Sequence, residues 1–159
     1  MPAGKVMKIL LLCTGNTCRS PMAEGLFKEF LKERGLDAQV VSAGLFALDG
    51  DTASPQAITA MGEKGIDISK HRARQVTKDL VEESDLILTM TSEHKKRLLT
   101  IIPEAKKKVF TLKEFGQGEI LDIKDPFGQP VEVYKESAKE IEGALKGVIC
   151  RLLENGWEF

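Results

Sequence analysis

Histidine, cysteine and tryptophan are scarce in this chain, at two, three and one among 159 residues. None of the histidines and cysteines fall at metal-ligand spacing, so catalysis is expected to need neither a metal nor a cofactor. Three thiols are too few, and odd in number, for a disulfide framework; they point to reduced cysteines and a cytoplasmic setting. No apolar run approaches the roughly 20 residues that a bilayer span needs, so no membrane partner is expected. Met1–Val6 has no apolar stretch ahead of a cleavage site and does not read as a signal peptide. The formal net charge of −1 leaves no global basic field for nucleic acid or an anionic surface. Repeats, low-complexity tracts and interdomain linkers are also missing, and the length suits one domain over residues 1–159, expected to be a monomer.

What is present alternates between two patterns. Val6 to Leu12 is almost continuously apolar and reads as a strand buried on both faces. Met22, Leu26, Phe27, Phe30 and Leu31 recur at helical spacing, which predicts a helix from about Pro21 to Arg34. Ser20 is its expected N-cap and Gly35 its stop. Gln39–Ala43, Asp85–Met90 and Lys107–Thr111 read as three further strands. Helices are expected from Ser54-Pro55 to Gly65, from Ser92 to Ile101 and from Glu132 to Glu154, the last with Ala138, Ile141, Leu145, Val148, Ile149, Leu152 and Leu153 on one face. This alternation predicts an α/β three-layer sandwich, a central four-stranded parallel sheet flanked by helices. Ligands of such sheets bind at the carboxyl ends of the strands, near a topological switch.

The run Cys13-Thr14-Gly15-Asn16-Thr17-Cys18-Arg19-Ser20-Pro21-Met22-Ala23-Glu24 follows the first strand directly. A strand, a tight loop and a helix start can turn several backbone N–H groups inward and make a concave anion site. Thr14, Gly15, Asn16, Thr17, Cys18, Arg19 and Ser20 are the expected phosphate-binding residues. The field that holds an oxyanion also favours a thiolate, so the Cys13 pKa is expected to be lowered. Arg19 can fork onto two oxygens of a tetrahedral anion, as a lysine cannot. Gly15 permits close backbone approach, and Asn16 tolerates a left-handed φ. Such a cradle with a nucleophile at its floor is suited to phosphoryl transfer through a phosphocysteine. Cys18, five residues from Cys13, is a candidate redox partner that would trap an oxidised Cys13 as a disulfide. His94 stands among Glu93, Lys95 and Lys96 and reads as part of a solvated helix face.

The stretch from Cys13 to Glu24 closely resembles the active-site signature of the low-molecular-weight protein tyrosine phosphatase family. Ser42-Ala43-Gly44, His71-Arg72-Ala73-Arg74-Gln75 and Asp125-Pro126-Phe127 follow in the family's order and rough spacing. The resemblance implies that Asp125 is the general acid, in preference to nearby Asp122, which lacks the Asp-Pro motif. It implies that the Asn16 side chain is tied to Ser42 and His71, and that Ser20 donates to the Cys13 thiolate. Phosphorylated proteins are the implied substrates.

Tyrosine-specific members of that family typically carry a bulky aliphatic residue where this chain has Thr17, and more aromatic surface after the Asp-Pro. Here Phe127-Gly128 follows the Asp-Pro, Leu45-Phe46-Ala47 follows Ser-Ala-Gly, and the lone tryptophan is Trp157. A phenyl ring wants an apolar slot with stacking partners. A guanidinium has several donors that ask for acceptors. The chain therefore resembles the protein arginine phosphatase branch of the family, and the expected reaction is hydrolysis of phosphoarginine. An ordinary tyrosine phosphatase is the nearest alternative. An arsenate reductase would need relay cysteines that Glu82–Lys108 lacks, and a non-catalytic phosphate-binding module would need neither Cys13 nor Asp125.

Overall fold

The computed structural model describes residues 6–119 and 121–156; Met1–Lys5 and Trp157, both used in the reading above, lie outside them. Strand β1 (Lys8–Cys13) is followed by helix α1 (Arg19–Glu33), strand β2 (Gln39–Gly44) and helices α2 (Pro55–Gly62) and α3 (Lys78–Glu83). Strand β3 (Leu86–Thr89), helix α4 (Ser92–Ile101), a 3₁₀ segment (Pro103–Lys108), strand β4 (Val109–Thr111), helix α5 (Leu112–Gln117) and helix α6 (Val131–Glu154) complete the order. The four strands form one parallel sheet in the order β2-β1-β3-β4, the architecture expected from the sequence.

Because side chains alternate along a strand, β1 feeds two cores. Ile9, Leu11 and Cys13 face the layer containing α1, α2, α5 and α6, where Phe27, Met61, Phe115, Tyr134 and Ile149 are buried. Leu10 and Leu12 face the layer containing α3 and α4, with Leu80, Val81 and Leu98. Residues 9–12 are all fully buried, as a strand covered on both sides requires. The chain leaves β1 toward β2 on one side and reaches β3 on the other, so the switch lies between β1 and β3. The crevice beyond their carboxyl ends is where the loop after Cys13 sits.

Four sequence expectations change. Helix α1 starts at Arg19, with Cys18 at the N-cap and no side-chain cap bond. Ser20 lies inside the helix because its hydroxyl is taken up by Cys13 and Asn16. The short helices α3 and α5 and the 3₁₀ segment have too few turns to show a periodicity. Leu153 is about half exposed, off the buried face of α6. His94 is buried, at 6% exposure.

Candidate active site

The anion loop is shaped from outside. Its carbonyls are engaged by the surrounding structure: Leu45 N–H donates to Cys13 O at 3.0 Å, Phe46 N–H to Thr14 O at 2.9 Å and Ser54 N–H to Thr17 O at 2.9 Å. His71 Nε2 bonds Asn16 O at 2.7 Å, and Met22 N–H bonds Cys18 O at 3.2 Å. With the carbonyls held outward, the intervening N–H groups turn inward, forming an anion-binding concavity. Asn16 carries φ of 58°, the sole positive φ outside glycine among the described residues. Gly44 is required by proximity: a Cβ there would lie 2.5 Å from Thr14 O and 3.1 Å from Asn16 N.

The Asn16 side chain is fully buried and its orientation is fixed. Arg74 N–H donates to Oδ1 at 3.0 Å, so Nδ2 faces Ser20 Oγ at 2.8 Å and Ser42 Oγ at 2.9 Å. The tie to Ser42 is thus through the side chain. The tie to His71 is not: the ring holds the Asn16 backbone carbonyl, while the amide is engaged by Ser20, Ser42 and Arg74. The Ser42 hydroxyl in turn donates to Glu24 Oε1 at 2.6 Å, and Glu24 is paired with Lys28. Since Ser20 accepts from Asn16, its hydroxyl proton is free for Cys13 Sγ, 2.8 Å away.

Cys13 is 3% exposed at the end of β1. Burial pushes its thiol pKa up from the ordinary value, against the pull of the Ser20 hydroxyl and N–H, the Arg19 charge and the Asn16 N–H. The lowering expected from the sequence is therefore outweighed by desolvation in this pocket. The four opposing groups are the ones that hold a thiolate there.

Arg19 is buried at the first position of α1, with Nη1 donating to Ile123 O at 3.0 Å. Ile123 N–H in turn donates to Met90 O just beyond β3. Asp125 is about half exposed, and its Oδ2 lies 3.5 Å from Arg19 Nη2. Its Oδ1 accepts from Phe127 N–H at 3.1 Å. Asp122 is occupied elsewhere, accepting from Ser92 N–H at 2.8 Å at the start of α4. The pocket of about 240 Å³ is lined by Cys13, Thr14, Gly15, Thr17, Cys18, Arg19, Asp125 and Phe127. It gathers the thiol, the guanidinium and one of the two candidate carboxylates. The size is below that of a drug-sized ligand site and suits the end of one modified side chain. The Cys18 sulfur lies 3.3 Å from Tyr134 Oη and 3.6 Å from Ser54 Oγ.

Sequence reasoning missed His94. Its Nε2 lies 2.8 Å from Thr14 Oγ1. Burial and the Arg19 charge lower its pKa to about 4, against weaker opposing pulls from Asp125 and Asp122. The available signal was position, since a residue in the first helical turn after β3 stands beside the loop that follows β1.

A family model described as "Low molecular weight phosphotyrosine protein phosphatase" matches residues 8–156. The chain belongs to the low-molecular-weight protein tyrosine phosphatase family. It is 44% identical to the protein-arginine-phosphatase of Bacillus subtilis over 146 residues, covering 92% of this chain and 97% of that protein. It is 37% identical over 147 residues to a probable low-molecular-weight protein-tyrosine-phosphatase, EpsP, of Ralstonia nicotianae, covering 92% and 97%. A solved structure of a mutant of the arginine phosphatase YwlE, with a phosphorylated active-site serine, superposes with a TM-score of 0.90 at 41% identity. That match covers 93% of this chain and 97% of the other. As a member of this phosphatase family the chain is a cysteine-dependent protein phosphatase acting on phosphorylated proteins. No helix among the described residues is long and apolar enough to cross a membrane.

Proposed function

We propose that this phosphatase hydrolyses phosphoarginine in proteins. The observation that carries the reading is the pairing of Thr17 and Asp125 on a pocket whose lining includes one aromatic residue, Phe127. The sole side-chain hydrogen bond of Thr17 among the described residues is a long one, 3.7 Å, to Cys18 Sγ, so its hydroxyl is open to a ligand. A guanidinium brings donors, and Thr17 and Asp125 offer acceptors. A phenyl ring would find little to stack on besides Phe127.

In this reading Cys13 gives up its proton to solvent, is held as a thiolate by Ser20, Arg19 and the Asn16 N–H, and attacks phosphorus in line with the P–N bond. The anion loop's N–H groups and the Arg19 fork hold the equatorial oxygens, with Arg19 steadied through Ile123 O. Asp125, as the general acid, gives a proton to the departing guanidino nitrogen. The resulting carboxylate then takes a proton from the water that attacks phosphocysteine. Sulfur leaves as a thiolate that accepts a hydrogen bond from the Ser20 hydroxyl, releasing phosphate. Asn16, Ser42 and His71 keep the loop in shape. This metal-free and cofactor-free route uses only groups of the chain. We also place the enzyme in the cytoplasm as a monomer of one domain, in accord with its free thiols and composition.

A tyrosine phosphatase is the second reading, favoured by the exposed Phe127 on the pocket and by the Ralstonia relative. The deciding experiment compares kcat/KM on a phosphoarginine protein and a phosphotyrosine peptide. A preference for phosphoarginine supports the proposal, and equal or greater activity on phosphotyrosine rejects it.

A further inference from the structure

His94 poses a chemical question that its packing alone does not answer. The ring is buried, and Nδ1 has no hydrogen-bond partner among the described residues. Its backbone N–H is taken by Thr91 Oγ1 at 3.1 Å, the cap of α4. The one bond made by the ring is to Thr14 Oγ1. A leucine would fill such a space without leaving a polar atom orphaned.

The ring is neutral near pH 7, since burial and Arg19 disfavour the charged form. A neutral imidazole has one N–H and two possible tautomers. With the proton on Nδ1, a buried donor would go unpaired. With the proton on Nε2, only an acceptor lone pair is unpaired, the more tolerable of the two defects. The ring therefore donates from Nε2, and Thr14 Oγ1 accepts. That assignment leaves the Thr14 hydroxyl proton uncommitted. Thr14 is exposed and lines the pocket beside Cys13 and Arg19. The strongest acceptor this pocket receives is a phosphoryl oxygen.

We propose that His94 is a positioning residue: by donating to Thr14 Oγ1 it commits the Thr14 hydroxyl proton to the phosphoryl group in the anion loop. Thr14 then adds a side-chain donor to a cradle otherwise built from backbone N–H groups and Arg19. The inference rests on the phosphatase chemistry of this pocket and is indifferent to whether arginine or tyrosine leaves.

The test measures the inhibition constant of inorganic phosphate, with kcat and KM on an aryl phosphate, for Thr14→Val, Thr14→Ser, His94→Leu, His94→Gln and the Thr14→Val/His94→Leu double variant. Thr14→Val should weaken phosphate binding roughly tenfold, the scale for losing a bond to a charged acceptor. Thr14→Ser should stay near wild type. His94→Leu should match Thr14→Val, and His94→Gln, whose amide N–H reaches a similar place, should restore binding. The double variant should be no worse than either single one. Unchanged phosphate inhibition in Thr14→Val, or additive losses in the double variant, overturns the proposal. So does ¹⁵N NMR of the wild-type ring showing the proton on Nδ1, a measurement that needs no variant to fold. A wild-type protein that turns over no phosphate ester at all would instead defeat the phosphatase reading beneath it.

Discussion

Asp125 Oδ2 sits 3.5 Å from Arg19 Nη2, an exposed carboxylate set against a buried guanidinium. The pair fixes the acid at the mouth of the pocket whose floor is Cys13. Asp122, three residues earlier, is held at the start of α4 by Ser92 N–H. Asp125→Ala should lower kcat by about 10²–10⁴, the usual worth of a positioned acid or base. The loss should shrink for substrates with good leaving groups, which need less protonation. Rate measurements across a series of aryl phosphates check this. If Asp122→Ala shows that dependence and Asp125→Ala does not, the acid has been misassigned.

Ser20 is placed to lower the Cys13 pKa against desolvation, through both its hydroxyl and its N–H. Ser20→Ala removes the hydroxyl and should raise the thiol pKa further. The pH profile of alkylation of Cys13 by iodoacetamide should shift to higher pH, and kcat should fall because the departing thiolate loses a donor. An unmoved alkylation profile would show that the 2.8 Å contact does not act on the sulfur.

Thr17→Ile takes away a hydroxyl and extends the apolar wall without touching Cys13, Arg19 or Asp125. Activity on phosphoarginine should fall and activity on phosphotyrosine should rise. Leaving a polar donor unpaired in a closed pocket costs about 1–3 kcal/mol, so the preference should move by roughly ten- to a hundredfold. Retained wild-type preference in side-by-side assays would remove Thr17 as the selector.

His94 makes the fold sensitive to acid. Its pKa is about 4 in the folded chain against an ordinary 6.5. Below pH 6.5 the unfolded chain takes up a proton that the folded chain refuses, so stability falls as pH drops from 6.5 and levels off near 4. Arg19 adds to this by repelling the cation, and Asp125 and Asp122 oppose it. The contribution reaches about 3 kcal/mol at the bottom of that window. Urea unfolding at pH 7 and pH 4.5 should show a smaller difference in His94→Gln than in wild type. An equal difference would exclude His94 as the titrating group.

Peroxide should convert Cys13 to a sulfenic acid, which the Cys18 thiol then condenses with, releasing water and forming a disulfide. Cys18 must first give up its contacts with Tyr134 Oη and Ser54 Oγ, so the bridge requires a local rearrangement. Intact-mass and peptide mass spectrometry should find a bridge that thiols reverse. Irreversible sulfinic acid on Cys13 with no bridge would reject the switch.

The sheet and the nucleophile loop were legible in the sequence for different reasons. Fully buried parallel strands must be apolar runs, and Ile9-Leu10-Leu11-Leu12 could be little else. The loop is contiguous, so Cys13, Asn16 and Arg19 announced themselves together. His94 escaped because its partner lies 80 residues away and its neighbours misled: Glu93 and Lys96 are exposed, while one step along the helix turns the histidine inward. Ser20 looked like a cap because serine before proline usually is one. Its hydroxyl had a stronger claim on it, from a sulfur that only the tertiary fold brings within 2.8 Å.

The hydrogen bonds that end at Cys13 diverge from the Asn16 amide, one arm running through Ser42 to Glu24 and the other through Ser20 to the sulfur. Glu24 can only accept, which sets the Ser42 proton outward; Arg74 N–H fixes the Asn16 amide; Asn16 then donates to Ser20 and leaves the serine proton for the sulfur. Turn the Asn16 amide over and the sense of both arms is lost, even with every atom in place. The outer end, the Lys28–Glu24 pair, spans the second and third turns of α1. Glu24→Gln would preserve shape while letting the far end donate as well as accept. The chemistry of the sulfur is thus governed in part by a buried amide that never meets the substrate, its other arm anchored on α1 by Glu24.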